Sequence, residues 1–332
     1  MSLQVSVIVP AYNRGKLILS TLDSIMVQSH RPSEIIVVDD GSTDDTAAVV
    51  QRYGNGVHYF RIENSGPPRA RNVGAAAASA PWLAFCDSDD LWHPDKLRLQ
   101  VRLFEQAPEL EYSFTNSRTV VDDTWSVDTK FETLPTGYWD LAVRKIDEEL
   151  FIVEQSMFGR LLIRQPIYPS TVMMKRSFFD KVGGWRESLG RNPAEDVEFH
   201  LRCVNQARIG VVAAPVVGIR KHDGNFSGQT LRTTIGDMEM LRFVLDHNPA
   251  AINYSSVIAQ KIIAANSDAA DSAFAIGQMQ MVRNFLKEVP YHKRTWKLHV
   301  KSLMAHCPTG MVQFLMRMTA SLRENKGVQP AR

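Results

Sequence analysis

Short apolar runs rich in β-branched residues alternate with longer amphipathic stretches through the first half of the chain. That alternation is the signature of βαβ units on a largely parallel sheet. Residues 5–9 predict a first strand. Leu17, Leu19, Leu22, Ile25 and Met26 then mark a helix, and residues 34–38 predict a second strand that runs into Asp39-Asp40-Gly41-Ser42. A second helix is expected from about Asp45, with Ser42 or Thr43 placed to cap it. Residues 57–61 predict a third strand, 68–79 an alanine-rich helix, and 82–86 a fourth strand that stops at Asp87-Ser88-Asp89-Asp90. Ligands of open α/β sheets bind beyond the carboxyl ends of the strands, so the two acidic clusters point to one cleft.

Between Asp122 and Pro169 the periodicity breaks, and Pro135, Gly137, Pro166 and Pro169 interrupt any regular element, so this segment reads as insertion and loop. Regularity returns with a strand over residues 171–175, a helix from Ser177, the turn Gly183-Gly184-Trp185, a helix over residues 195–204, and strands near 209–212 and 216–220. After about Thr230 only helical periodicity remains, as far as Leu322, with breaks near Asn248-Pro249, Pro290 and Pro308. The expected division is an α/β domain over residues 1–228 and a helical region over residues 229–332.

Length and composition narrow the function classes. A chain of 332 residues with 44% apolar content is long enough for a full core and a smaller second one. The net charge of +2, from 38 basic and 36 acidic residues, argues against a dedicated nucleic-acid binder. Cys86, Cys203 and Cys307 lie far apart and suggest neither a disulfide framework nor a zinc site, which suits a reducing compartment. The least polar stretch, residues 73–86, is shorter than the ~20 residues that span a bilayer. Met1-Ser2-Leu3-Gln4 leads directly into a strand without a signal-peptide pattern, so the expected location is cytoplasmic.

The polar clusters carry the candidate chemistry. Aspartates after a buried strand, as at Asp87 and Asp89, suit a hard divalent cation that also meets a diphosphate, although a solvated acidic turn has the same composition. Asp44 and Asp45 read as first-turn acids of a helix, whereas Asp39 and Asp40 stand earlier, where carboxylates can accept a uracil imide or ribose hydroxyls. Val9-Pro10-Ala11-Tyr12-Asn13 has no glycine fingerprint of a dinucleotide fold, and no Walker-type loop occurs anywhere. It offers an aromatic ring and an amide that could stack on and edge-bind a base. In Asn64-Ser65-Gly66-Pro67-Pro68-Arg69-Ala70-Arg71-Asn72 two arginines open a helix, where the dipole disfavours a cation that has no anion to meet. Glu195 and Asp196 open another helix and are either first-turn acids or the carboxylate that takes a proton from a hydroxyl. His222, in Lys221-His222-Asp223-Gly224-Asn225, is either a structural histidine or a ligand.

Taken together, Val5-Ser6-Val7-Ile8-Val9-Pro10-Ala11-Tyr12-Asn13, Ile36-Val37-Val38-Asp39-Asp40-Gly41-Ser42-Thr43-Asp44, Ala70-Arg71-Asn72, Asp87-Ser88-Asp89-Asp90 and Glu195-Asp196 resemble the motifs of family 2 glycosyltransferases in order and spacing. The resemblance covers roughly residues 5–227. It implies a GT-A fold, a Rossmann-like, mostly parallel mixed sheet flanked by helices, with a donor half over about residues 1–121 and an acceptor half over about 122–228. It also implies an inverting mechanism, a nucleoside-diphosphate sugar donor such as a UDP-sugar, and Mn²⁺ or Mg²⁺. Carried over by motif, Pro10, Ala11, Tyr12 and Asp40 would meet the nucleobase with Asp39 in support, and Asn13, Asn64, Gly66 and Ser88 would complete the donor site. Asp87 would meet the ribose, Asp89 with Asp87 the metal, and Arg71 the phosphates. Asp196 holds the position of the catalytic base, with Glu195 assisting. His222 would complete the metal or phosphate shell, and Gly184 and Trp185 would lie on the acceptor side.

The acceptor so implied is a sugar or lipid-linked glycan of bacterial surface polysaccharide, lipopolysaccharide or glycoconjugate synthesis. Two alternatives stand beside it: a sugar nucleotidyltransferase, an enzyme class with a similar sheet whose glycine- and arginine-rich phosphate loop Ala11-Tyr12-Asn13-Arg14-Gly15 does not provide, and a non-catalytic sugar-nucleotide-binding scaffold of a polymer-assembly complex. From Arg283 onward ten basic residues face only Glu288 and Glu324, beside apolar positions at helical spacing. Such helices pack on the catalytic domain, pair with a second copy in a homodimer, or dock peripherally on an anionic inner membrane face.

Overall fold

The computed structural model describes residues 3–222 and 230–307. The chain divides into two compact units, Met1–Asn225 and Phe226–Arg332. The first is built on one mixed sheet. Strands β1 (Val5–Ala11), β2 (Glu34–Asp39), β3 (His58–Arg61) and β4 (Trp82–Phe85) run parallel in the order β3-β2-β1-β4. Beyond β4 come β10 (Met173–Lys175), β6 (Tyr112–Val121), β11 (Ile209–Arg220), β9 (Leu150–Val153) and β8 (Val143–Lys145), while β7 (Thr124–Thr129) and β5 (Leu91–Trp92) pair off this path. Strand β10 is antiparallel to both β4 and β6, and β11 is parallel to β6. Two reversals restore direction, so β11 ends at the same edge of the sheet as β1, β2 and β4.

Period-two alternation sends the strand residues to two covered faces. Val5, Val7, Val9, Ile35 and Val37 share a cluster with Ile18, Leu22 and Ile25 of α1 (Ile18–Met26), Val49 and Val50 of α2 (Thr46–Gln51), and Leu97 and Val101 of α4 (Lys96–Gln106). Ile8 and Val38 point the other way, towards α3 (Pro67–Ala77). There Gly74 makes the close approach: a Cβ on it would stand 2.5 Å from Ile8 Cγ2 and 3.3 Å from Val38 Cγ2. An alanine-rich helix is therefore what this face of the sheet admits. Phe85 of β4 continues that layer against Phe179 of α6 (Arg176–Val182) and against Trp185, and Trp185 stacks on Phe199 of α7 (Glu195–Val204).

Several expectations need correction. Residues 122–169 are not only insertion and loop, because they supply β7, β8, β9 and α5 (Phe158–Ile163). Strand β8 is three exposed residues, and β7, although Trp125 and Val127 alternate with polar residues, leaves Val127 exposed, so neither carries the buried apolar face that marks a strand. No element was expected between Trp92 and Asp122, yet α4 and the long strand β6 lie there. The two strands near residues 209–220 are one strand whose register shifts around Pro215, a bulge at which a proline is tolerated. Neither Ser42 nor Thr43 caps α2. The N-cap is Asp45, Asp44 Oδ1 accepts from Thr46 N at 3.0 Å, and Ser42 Oγ accepts from Asn13 N at 2.9 Å.

The second unit contains α8 (Thr230–His247), α9 (Ser255–Ala275), α10 (Met279–Lys287) and α11 (Trp296–Met304) among its described residues. Ala270, Ala273, Val282, Leu286, Val289, Leu298 and Ala305 form its core. The breaks fall where expected at Asn248, which accepts from Ala250 N, and at Pro290. Pro308 and the apolar and basic positions after it lie outside the described residues. No described helix is long and apolar enough to cross a membrane.

Candidate active site

The predicted residues gather at the carboxyl ends of β1, β2, β4 and β11 and at the start of α7. The first two loops are tied to each other. Asn13 adopts φ +52°, a left-handed conformation that asparagine tolerates, and its Oδ1 accepts from Thr43 N at 2.8 Å. Asp40 N donates to Ala11 O at 2.8 Å. Asp39 Oδ1 accepts from Ser42 N at 2.7 Å and Oδ2 from the Tyr59 hydroxyl at 2.5 Å. Asp40 takes Ser65 N at 2.6 Å and Gly66 N at 2.8 Å, one on each oxygen, which draws the Asn64–Gly66 loop against β2. Gly66 has φ +97°, and a Cβ there would meet Gly190 O at 2.7 Å. Pro10 and Ala11 are buried, whereas the Tyr12 ring is half-open with the Arg191 guanidinium 5.3 Å from its centroid. Both aspartates thus shape the loops around them, and each oxygen retains a lone pair for a further donor.

Arg71 is the centre of the site. Its side chain is buried, with Nη1 donating to Glu195 Oε1 at 2.7 Å and Nη2 to Asp87 Oδ1 at 2.8 Å. The anion expected beside this helix start is therefore a pair of carboxylates. Burial alone would lower the guanidinium pKa, but the charges of Asp87 and Glu195 outweigh it and raise it. Trp185 lies beneath, 4.4 Å from the guanidinium carbon to the ring centroid. Asn72 holds that tryptophan by two backbone bonds, Nδ2 to Trp185 O and Trp185 N to Oδ1, each 2.9 Å. Gly184 precedes it at φ +61°. The Trp185 ring is buried and supports Arg71 rather than offering an open face to a sugar.

Burial raises the carboxyl pKa of Glu195, opposed by Arg71, and raises that of Asp196 well above the usual carboxylate range, reinforced by the neighbouring charge of Glu195. Asp196 stays partly open to solvent while Glu195 is buried. Ser88 is buried behind Asp87. Asp89 Oδ2 accepts from Arg14 Nε at 3.2 Å and pairs with His222 Nε2 at 3.1 Å. Burial alone would raise the Asp89 pKa, but the His222 hydrogen bond and the Arg14 charge bring it below the usual value.

A family model described as glycosyl transferase family 2 matches residues 6–179. The chain belongs to that family. An uncharacterized glycosyltransferase of Rickettsia felis is 39% identical over 173 residues, covering 51% of this chain and 28% of that protein. TuaG of Bacillus subtilis, named for teichuronic acid biosynthesis, is 39% identical over 128 residues, 37% of this chain and 50% of its own. The chain thus spans half or less of these two relatives. Among solved structures, TarS residues 1–349 of S. aureus in complex with UDP-GlcNAc has the same fold, with TM-score 0.60 at 20% identity over 87% of this chain and 82% of that one.

In this family 2 chain, two residues that sequence reasoning left unassigned matter. Arg14 reaches from the β1 loop to Asp89, and its only signal was its place directly after Tyr12-Asn13. Asp90 is buried, accepting from Ser170 Oγ at 2.5 Å and from Arg220 N at 3.0 Å, and so fastens the acidic loop to β11. Among the described residues no three metal-type side chains cluster. Asp89 and His222 still fit a cation: a carboxylate and an imidazole already in contact, with the carboxylate carrying the Arg14 cation on one oxygen.

Removing the central guanidinium leaves the buried Glu195 carboxylate and the half-buried Asp87 carboxylate unpaired. Arg71→Leu is expected to lower the unfolding free energy by about 3–5 kcal/mol. Urea unfolding checks this, and a change under ~0.5 kcal/mol contradicts the bridge.

Proposed function

We propose that the chain transfers a sugar, with inversion, from a nucleoside-diphosphate donor of the UDP-sugar type to a hydroxyl of a sugar or lipid-linked glycan acceptor, in the assembly of a bacterial surface polysaccharide. The observation that carries this reading is the division of labour between Asp196 and Glu195. Glu195 is held in an ion pair by Arg71. Asp196 has no such partner, is partly open, and has its proton affinity raised by burial and by Glu195. A carboxylate with those properties suits a general base that takes the acceptor proton as the oxygen attacks the anomeric carbon. The half-open Tyr12, the β2 loop acids and the loop at Asn64–Gly66 would hold the nucleoside.

Asp89 and His222, with Asp87 nearby, would hold Mn²⁺ or Mg²⁺. When bound, the cation neutralises charge on the departing diphosphate. The complexes of TarS with UDP-GlcNAc and with UDP, and the name of TuaG, support the donor class and the setting.

For location we propose the cytoplasmic face of the membrane. On α11, Trp296 (72% exposed) and Leu303 (73%) lie open beside Lys293, Lys297 and Lys301. Cosedimentation with vesicles should require anionic lipid and weaken with salt; no binding at low salt would leave packing or pairing as the role of these helices.

The catalytic reading is tested with purified protein, UDP-, GDP- and dTDP-sugars, and mass spectrometry. Transfer or donor hydrolysis should occur with a UDP-sugar, stop with EDTA and return with Mn²⁺ or Mg²⁺. Asp196→Asn should lower turnover about 10²- to 10⁴-fold while donor binding is retained. The raised Asp196 pKa means that the base is protonated at pH values where an ordinary aspartate is ionised. Activity should therefore rise with pH along an acid limb lying above the usual carboxylate range, and Asp196→Asn should remove that limb. Tight donor binding with no turnover would assign the chain to a scaffold, and a dead Glu195→Gln beside a normal Asp196→Asn would move the base.

A further inference from the structure

Three cations from separate elements meet on the side of β4 and β10 away from β1 and β2. Lys130 follows β7, and its backbone N–H donates to Ser117 O of β6 at 2.7 Å. Lys221 leaves the end of β11, and its N–H donates to Val120 O of the same strand at 2.8 Å. Arg164 ends α5, where its carbonyl accepts from the Tyr138 hydroxyl at 2.9 Å. The Lys130 ammonium stands 5.4 Å from the centroid of the Tyr168 ring. Burial, with Arg164 and Lys221 close enough to repel, lowers the Lys130 pKa. None of the three pairs with a carboxylate of the described residues.

Gathering like charges around a half-buried lysine with no counter-ion among the described residues costs stability, and an arriving anion removes that cost. The cluster also adjoins the chemistry. Burial, then the charge of Asp196, raises the Tyr168 hydroxyl pKa, with Arg164 opposing. Tyr168 thus has both the cations and the proposed base within electrostatic reach, and it keeps its proton as a hydrogen-bond donor. Arg164 offers a planar fork for two oxygens, and the lysines offer point charges.

We infer that Lys130, Arg164 and Lys221 form a subsite for an anionic group on the acceptor, a phosphate or a uronate carboxylate, set beside the acceptor hydroxyl. The inference rests on Asp196 facing the acceptor. Saturation-transfer NMR on the full chain with UDP and Mg²⁺ tests it, with glycerol 3-phosphate, glucuronate and glucose as probes. At least one anion should bind while glucose at equal concentration does not, and the tighter anion identifies the source. The double variant Lys130→Gln/Arg164→Gln should weaken that anion about tenfold or more, the loss of charge-assisted bonds worth at least one decade in affinity. Its UDP affinity should stay unchanged, which also reports an intact fold.

Equal binding of glucose, no anion binding at concentrations on the order of 10 mM, or anion binding unchanged in the double variant would overturn the subsite. A loss of UDP affinity in that variant would move the cations to the donor and overturn it too. If UDP fails to bind the unaltered chain, the donor reading fails instead, and the same titration without UDP still decides the subsite.

Discussion

A buried guanidinium must have counter-charges, and that constraint organises the site around Arg71. Its two partners come from distant parts of the chain, Asp87 after β4 and Glu195 at the start of α7. The bridge therefore joins the strand-end loop that would meet the donor to the helix that would carry the base. Trp185 is placed by the same need, since it floors the guanidinium and is gripped by Asn72, one residue beyond Arg71 on α3. Helix α3 can lie close enough to the sheet to present Arg71 because Gly74 leaves room against Ile8 and Val38. The raised proton affinity of Asp196 then follows from its own burial, reinforced by the neighbouring charge of Glu195 that Arg71 pairs with.

The other acids work in a similar way on a smaller scale. Asp39, Asp40 and Asp90 each accept hydrogen bonds from backbone or hydroxyl donors of neighbouring strands and loops, which fixes the rim before any ligand arrives. Asp89 differs in that its carboxylate meets two side chains from separate parts of the chain, Arg14 and His222. That setting supports the proposal that Asp89, among the clustered aspartates, would meet the cation.

Much of this was legible in the sequence. Strands β1 and β2 announced themselves by buried β-branched runs, β4 by a short buried apolar run, and the acidic clusters by their position after β2 and β4. Helix α7 was placed at residues 195–204, as found, because its first-turn acids and apolar spacing agree. What the sequence hid was of two kinds. Strands β7 and β8 are short and bury little apolar surface, Val127 and all of β8 being exposed, so the apolar signal that betrays a strand is weak. Partnerships across the fold leave no local trace either: Arg71 read as a phosphate ligand because its anions lie 16 and 124 residues away, and Arg14 meets Asp89 across 75 residues.

The bridge itself can be measured without reference to substrate. In a double-mutant cycle, Asp87→Asn and Glu195→Gln are made singly and together and the unfolding free energies compared. Because both carboxylates share one buried guanidinium, the effects should be non-additive by about 1 kcal/mol or more, whereas additivity to within ~0.5 kcal/mol would contradict a single bridge joining the two halves of the site.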